Sequence, residues 1–204
     1  MVPLWLFLLP QSQENNIFID HTPVVVENLR DASKQFEELG FLIKPGHEHE
    51  NGINNNHIKF RDSTSIEIVE ISESRDDITK SYLEHLSNGE GGTYLALRIS
   101  SIDEMNKKLK KANIDHKITK LKSFTYITFP NEKGMNQIFL IYYNFRNDSD
   151  GFTFHPNKSN GIKEVWIQGD STTISLLDAL GIEVTDHKNK STAISLDAFK
   201  TIEK

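Results

Sequence analysis

The chain of 204 residues has 37% apolar and 25% charged side chains, no cysteine and a formal net charge of −6. This length suits one domain or two small ones, and it can bury roughly 70% of the surface the unfolded chain exposes. The lack of cysteine excludes disulfides, thiolate metal centres and a cysteine nucleophile, and dispersed lysines on an acidic chain argue against a nucleic-acid surface.

In residues 1–16 the run Val2 to Leu9 is apolar, like the core of a signal peptide, but short of the about 20 residues that span a bilayer. No Lys or Arg precedes it, and Pro10 to Gln13 is a poor cleavage site. A truncated signal remnant and an apolar tail packing on the domain both stay open. The expected location is cytoplasmic, with export as the alternative.

Residues 17–71 read as a first module. Phe18 to Val26 is a strand, Asn28 a helix N-cap, and Leu29, Ala32, Phe36 and Leu39 keep helical spacing up to Gly40. A second strand is expected over Phe41 to Lys44, ended by Pro45-Gly46. A polar loop holding His47 and His49 follows. Asn55 to Phe60 and Ser65 to Ile71 then form a hairpin with Asp62-Ser63 at its tip. Residues 72–91 form a connector with a short helix around Ile78 to Leu86.

Residues 92–143 repeat the order. Tyr94 to Ile99 is a strand, Ser101 a cap and Ile102 to Ala112 a helix. Short strands follow near Asp115 to Ile118, Phe124 to Phe129 and Gln137 to Tyr143. The lysines of Lys107 to Lys111 read as a solvated helix face. Residues 144–204 hold a polar stretch with Phe154-His155-Pro156-Asn157, then an incomplete third unit: a strand at Lys163 to Ile167, a helix at Thr172 to Leu180 closed by Gly181, and strands near Glu183 and Ala193 to Leu196.

With His21 set on Tyr94, Val26 meets Ile99, Leu29 meets Ile102, Phe36 meets Leu109 and Gly40 meets Asn113; the third copy places Gly181 on Gly40. Such a repeat marks modules that bury their apolar faces together. The expected fold is α+β: tandem βαβββ modules forming a curved mixed sheet around a groove, plus a partial third βαβ unit. Alternation puts Asn55, His57, Lys59 and Arg61 on one strand face, with Glu67 on the polar face of the next strand and Tyr94 and Arg98 on that of the second module.

Four strings carry a family likeness: Ile19-Asp20-His21 with Leu39-Gly40-Phe41, Ser65 to Ile71, Ala96 to Asp103, and Ile138 to Val165 with its Phe-His-Pro-Asn segment. In this order, on this repeat, the chain resembles the vicinal oxygen chelate superfamily, and within it the glyoxalase-like domain proteins, over about residues 17 to 185. The likeness implies a small-molecule site in the inter-module groove, with one metal ligand from the first and last strand of each module. Those positions are His21 and Glu67, then Tyr94 and roughly Leu140, of which the last cannot coordinate. His57 would complete a set of two histidines and one carboxylate for a divalent ion. No nucleotide or flavin is implied.

Catalytic roles fall on His21, Glu67 and His155, and substrate-binding roles on Asn55, His57, Tyr94, Arg98 and Asn157. Each has a plainer alternative. His21 would be a hydrogen-bonded groove-edge histidine, and Glu67 would pair with Arg98 or Lys59. His155 would sit in a turn supported by Asn157 through an Asx bond. Arg98 would pair with Glu67 or Glu70 instead of gripping a carboxylate or phosphate. His47 and His49 read as a solvated loop. The implied function is binding of a small oxygenated metabolite, as a metal-assisted lyase or isomerase. The alternative is non-catalytic sequestration of the bleomycin-resistance type. No nucleic-acid or membrane partner is expected, and the chain would be a monomer or homodimer.

Overall fold

The computed structural model describes residues 4–8, 17–129, 137–144, 151–169, 171–182, 184–186 and 194–198. The expectations at Pro10 to Gln13, Glu183 and Ala193 lie outside them. In chain order the elements are β1 (Leu4–Leu8), β2 (Ile17–Val26), α1 (Leu29–Glu38), β3 (Lys44–Glu48), β4 (Asn54–Lys59), β5 (Ser65–Glu70), α2 (Asp77–Leu86), β6 (Gly91–Gly92) and β7 (Leu95–Ile99). There follow α3 (Ile102–Lys111), β8 (Lys117–Lys120), β9 (Phe124–Thr128), β10 (Ile138–Tyr143), β11 (Ser159–Gly169), α4 (Ser171–Leu180), β12 (Val184–Asp186) and β13 (Ile194–Ala198). The fold is mixed α+β, as expected. No helix among the described residues is long and apolar enough to cross a membrane.

Two compact units share the chain. Unit 1 draws on residues 1–20, 94–147 and 163–195, and unit 2 on residues 21–93, 148–162 and 196–204. In unit 2 the strands run in the order β3-β4-β5-β2, with β2 parallel to β5 and the other neighbours antiparallel. Asn56 donates to Ser33 Oγ at 2.9 Å, which sets α1 on the face of Asn56, Ile58, Ile66 and Ile68. Ile58 and Ile68 are fully buried there, each contributing about 1.5–3 kcal/mol of burial energy. The opposite face carries Asn55, His57, Lys59 and Glu67.

Unit 1 repeats the plan in the order β7-β10-β9-β8, with β7 parallel to β10. Leu95, Leu97 and Leu109 are buried in its core. Also in this unit, β1 lies between β12 and β11, antiparallel to both.

The three repeats end their helices alike. Gly40, Asn113 and Gly181 all adopt left-handed backbone, at φ 83°, 56° and 73°. The next residue then reaches back to the last turn: Phe41 N to Phe36 O at 3.1 Å, Ile114 N to Leu109 O at 3.0 Å and Ile182 N to Leu177 O at 2.8 Å. This closure satisfies carbonyls that the helix itself leaves unpaired. Asn28 and Ser101 cap α1 and α3 as expected, accepting from Asp31 N and Glu104 N.

One strand differs from expectation. Phe41 to Ile43 is not a strand, because its backbone has other partners. Phe41 N–H closes α1, and Leu42 N–H donates to His155 Nδ1 at 2.9 Å. The strand begins at Lys44 and runs through Pro45, Gly46 and His47 to Glu48, with its register broken between Pro45 and Glu48. His47 thus lies on an edge strand and His49 just beyond it, not in a free loop.

Candidate functional site

The ladder of unit 2 brings one polar row together. Lys44 faces His57, His57 faces Glu67, and Glu67 faces Pro23 of β2. The next row is Lys59, Ser65 and His21. Directly paired residues project to the same side of a sheet, so His21, Glu67, His57, Lys44 and Lys59 share one face. His21 Nε2 stands 3.6 Å from Glu67 Oε2, with both side chains largely shielded from solvent.

Glu67 is held from its other side. Asn55 Nδ2 donates to Glu67 Oε1 at 2.5 Å and lies 3.1 Å from His49 Nε2, which accepts from the amide. Asn55 Oδ1 accepts from His47 N at 3.3 Å. Its side chain is almost fully buried, so these bonds fix the rotamer. The β3 irregularity allows this approach, because Gly46 packs directly on Asn55 and a Cβ there would overlap its side-chain oxygen and carbonyl. His47 and His49 stack with ring centroids 4.2 Å apart.

His57 is the electrostatic centre of the face. Burial pushes its pKa down to about 4; Glu67 opposes that shift, while His21, Lys59 and Lys44 add to it. The imidazole is therefore neutral at physiological pH. Its ring nitrogens have no hydrogen-bond partner among the described residues, so one can donate and the other accept toward a bound molecule.

The second module lacks this chemistry. His21 aligns with Tyr94. Since Pro23 faces Glu67 and Ala96 faces Phe139, the register counterpart of Glu67 is Phe139. Leu140, the position taken from sequence, is off by one residue and fully buried. Tyr94 and Phe139 meet edge-on at 6.2 Å between centroids.

Arg98 does not pair with Glu67 or Glu70. Its Nη1 lies 3.5 Å from Asp20 Oδ1, and Tyr143 OH donates to Asp20 Oδ2 at 2.8 Å. Asp20 precedes His21 on β2, and neighbouring strand residues leave opposite faces. Its carboxylate is buried, and sequence reading passed over it. The available signal was a charge on the strand side that also carries Phe18, Thr22, Val24 and Val26. Glu70 instead accepts from Leu29 N at 2.9 Å, at the start of α1.

His155 and Asn157 act on backbone. His155 Nδ1 accepts from Leu42 N, and Nε2 donates to Lys59 O at 2.8 Å, which fixes a neutral tautomer with both nitrogens used. Phe41 and Phe60 stand edge-on to the ring, at 5.4 and 5.2 Å. Burial lowers the His155 pKa, and the bond to Lys59 partly opposes this. Asn157 donates to Leu39 O at 2.9 Å and accepts from Ser159 N at 3.0 Å, the Asx geometry.

Tested as a metal centre, His21 and Glu67 are two sound ligands. Their 3.6 Å separation approaches the about 3.4 Å expected of two donors on one tetrahedral ion. Among the described residues no group of three or more His, Asp or Glu side chains is arranged to hold an ion. Two ligands do not fit a tightly held resident ion, which takes three or four.

Paired βαβββ modules with a histidine and a glutamate on the first and last strands of one of them define a vicinal oxygen chelate fold. The model of the glyoxalase-like domain family matches residues 19–181, and the chain belongs to that family. Methylmalonyl-CoA epimerase from Mycobacterium tuberculosis shares the fold, with a TM-score of 0.51 and 19% identity, over 66% of this chain and 94% of that one. A hypothetical protein from Bacillus halodurans superimposes with a TM-score of 0.50 at 12% identity, over 66% and 99%. A hypothetical protein from Staphylococcus aureus gives 0.50 at 13%, over 65% and 61%. No curated protein matches the chain.

Proposed function

We propose that the protein binds a small oxygenated metabolite on the Glu67 face and moves a proton next to a carbonyl, as an isomerase or lyase. The observation that carries this is the Glu67 carboxylate, shielded from solvent, held by Asn55 at 2.5 Å and beside His21 at 3.6 Å. A positioned carboxylate of this kind is suited to general-base work. Glu67 Oε2 takes the proton, the C–H electron pair passes into the carbonyl, and the neutral His57 N–H donates to the oxygen that gains charge. Return of the proton to the same or the adjacent carbon completes an isomerisation. His155 and Asn157, whose polar atoms are occupied by backbone, serve as supports in this reading.

The test is deuterium exchange from D2O into a panel of 2-hydroxy ketones, followed by proton NMR. Exchange is expected with the native chain and a fall of about 10²–10⁴-fold in Glu67→Gln. Unchanged exchange in that variant overturns the assignment. Metal content after purification without chelator addresses metal assistance: stoichiometric metal, lost in both His21→Ala and Glu67→Ala, supports that version. The aromatic pair Tyr94–Phe139 favours a second reading, non-catalytic sequestration. Saturable binding without exchange supports it.

A further inference from the structure

Asn55 stands between the Glu67 carboxylate and a histidine just beyond the edge strand β3. Three contacts set the direction of its amide. Oδ1 accepts from His47 N at 3.3 Å, while Nδ2 faces Glu67 Oε1 at 2.5 Å and His49 Nε2 at 3.1 Å. An amide NH2 group has two hydrogens and only donates, so one hydrogen goes to the carboxylate and the other to the ring. His49 Nε2 is therefore the acceptor, and the ring proton sits on Nδ1. The main chain fixes the ring's place: His49 N donates to Ile53 O at 2.7 Å, and His49 O accepts from Gly52 N at 2.9 Å. The His47 ring packs on it at 4.2 Å between centroids. Asn55 is 3% exposed, so water is no ready replacement for a lost partner.

We propose that His49 is a positioning residue for Glu67, acting through Asn55, an assignment that rests on the reading of Glu67 as the base. Two bonds tie the amide to the β3 edge. The one to His49 is the shorter, and the one to His47, at 3.3 Å, lies near the limit of a hydrogen bond. With His49 accepting, Oε1 stays engaged by the amide, and Oε2, beside His21, is left to take the proton. Without an acceptor at residue 49, Asn55 and Glu67 can swing as a pair, and the carboxylate loses its fixed direction. Misdirection of a base slows the chemical step and leaves substrate binding largely unchanged. The site thus needs an acceptor atom at residue 49 rather than an imidazole as such, and His49 itself moves no proton.

The first arm of the test needs no substitution: 15N spectra of the native chain in mildly alkaline solution are expected to place the His49 ring proton on Nδ1. A proton on Nε2 overturns the proposal. The second arm compares His49→Gln, whose side-chain oxygen can accept, with His49→Phe, which keeps a ring against His47 but cannot; thermal unfolding checks that both fold. His49→Gln is expected to keep the NMR signals of the Asn55 amide and the Glu67 carboxyl, and His49→Phe to shift both. In deuterium exchange of the 2-hydroxy ketones, His49→Phe should lower kcat at least about tenfold with KM within roughly twofold, and His49→Gln should hold kcat within about threefold. Unmoved Asn55 and Glu67 signals in His49→Phe, an equal fall of kcat in both variants, or a change in KM alone each overturns the assignment. The tautomer and the two signals are read without substrate, so they judge the positioning even where the native chain catalyses no exchange. Absence of that exchange counts against the proposed function alone.

Discussion

Tyr94 and Phe139 meet edge-on, 6.2 Å between ring centroids, at the places in the second module that His21 and Glu67 hold in the first. An aromatic pair of this geometry adds about 0.5–1.5 kcal/mol beyond its buried area. It offers neither a carboxylate nor an imidazole. The duplicated backbone has thus been kept while its two copies took different chemistry, polar in one and aromatic in the other.

Asn55 is expected to be costly to truncate. Asn55→Ala leaves Glu67 Oε1 and His47 N–H without their partner, for a loss of about 1–3 kcal/mol in urea unfolding. Gly46→Ala should lose a similar amount, since its new Cβ would displace Asn55.

The left-handed helix ends should respond in opposite directions. In Gly40→Ala a Cβ enters left-handed backbone at φ 83° and meets Asn157 Cβ at 3.0 Å, which costs about 1–2 kcal/mol. Asn113→Gly relieves the same backbone at φ 56° and should gain up to about 1 kcal/mol. Thermal melts of the two variants check both.

His155 should make stability depend on pH. Burial lowers its folded pKa below 6.5, with the bond to Lys59 opposing, so the unfolded chain binds more protons as pH falls through that range. Its contribution is full above 6.5 and is lost as pH drops through the lower folded value. His155→Ala is expected to flatten this dependence in urea melts between pH 7 and 5. It should also cost about 2–4 kcal/mol at neutral pH through lost packing and hydrogen bonds.

Asp76 caps α2 with a reciprocal pair of bonds to Thr79. Burial pushes its carboxyl up, but hydrogen bonds from Thr79, Asn51 and Ile78 outweigh that and hold it below the ordinary value. Asp76→Ala should cost about 1 kcal/mol. In the native chain the contribution is present above the unfolded pKa and lost as pH falls through the folded one.

Arg98→Ala removes a cation from the buried Asp20 carboxylate, leaving Tyr143 OH bonded to it. A loss of about 3 kcal/mol is expected in urea unfolding. Asp20→Asn with Arg98→Met should recover much of it, because no charge is then left buried.

Much of the repeat could be read in the sequence because helix ends are local. The aligned Gly40, Asn113 and Gly181 mark one backbone turn three times, and Asn28 and Ser101 mark two helix starts, each settled within a few residues. Strand parity was local as well, and it put His57 with Asn55, Lys59 and Arg61 on one strand face and Glu67 on the polar face of the next; the ladder then joined these to His21. The stretch from Phe41 to His49 was misread because its three apolar residues look like a strand and its polar ones like a loop. Long-range bonds govern it: Leu42 N–H answers to a histidine more than a hundred positions downstream, and Gly46 fits only because Asn55 lies against it.

Periodicity and turn chemistry were therefore enough to give the chain its duplicated α+β plan and the polar face of its first module. They act over one turn or one pleat, a range within which neighbouring residues dictate each other's backbone. The partner of each charge was set by packing instead. Arg98 went to Asp20 rather than Glu67, and His155 went to two backbone groups, because a buried polar atom must find its complement among groups that only the folded chain brings near.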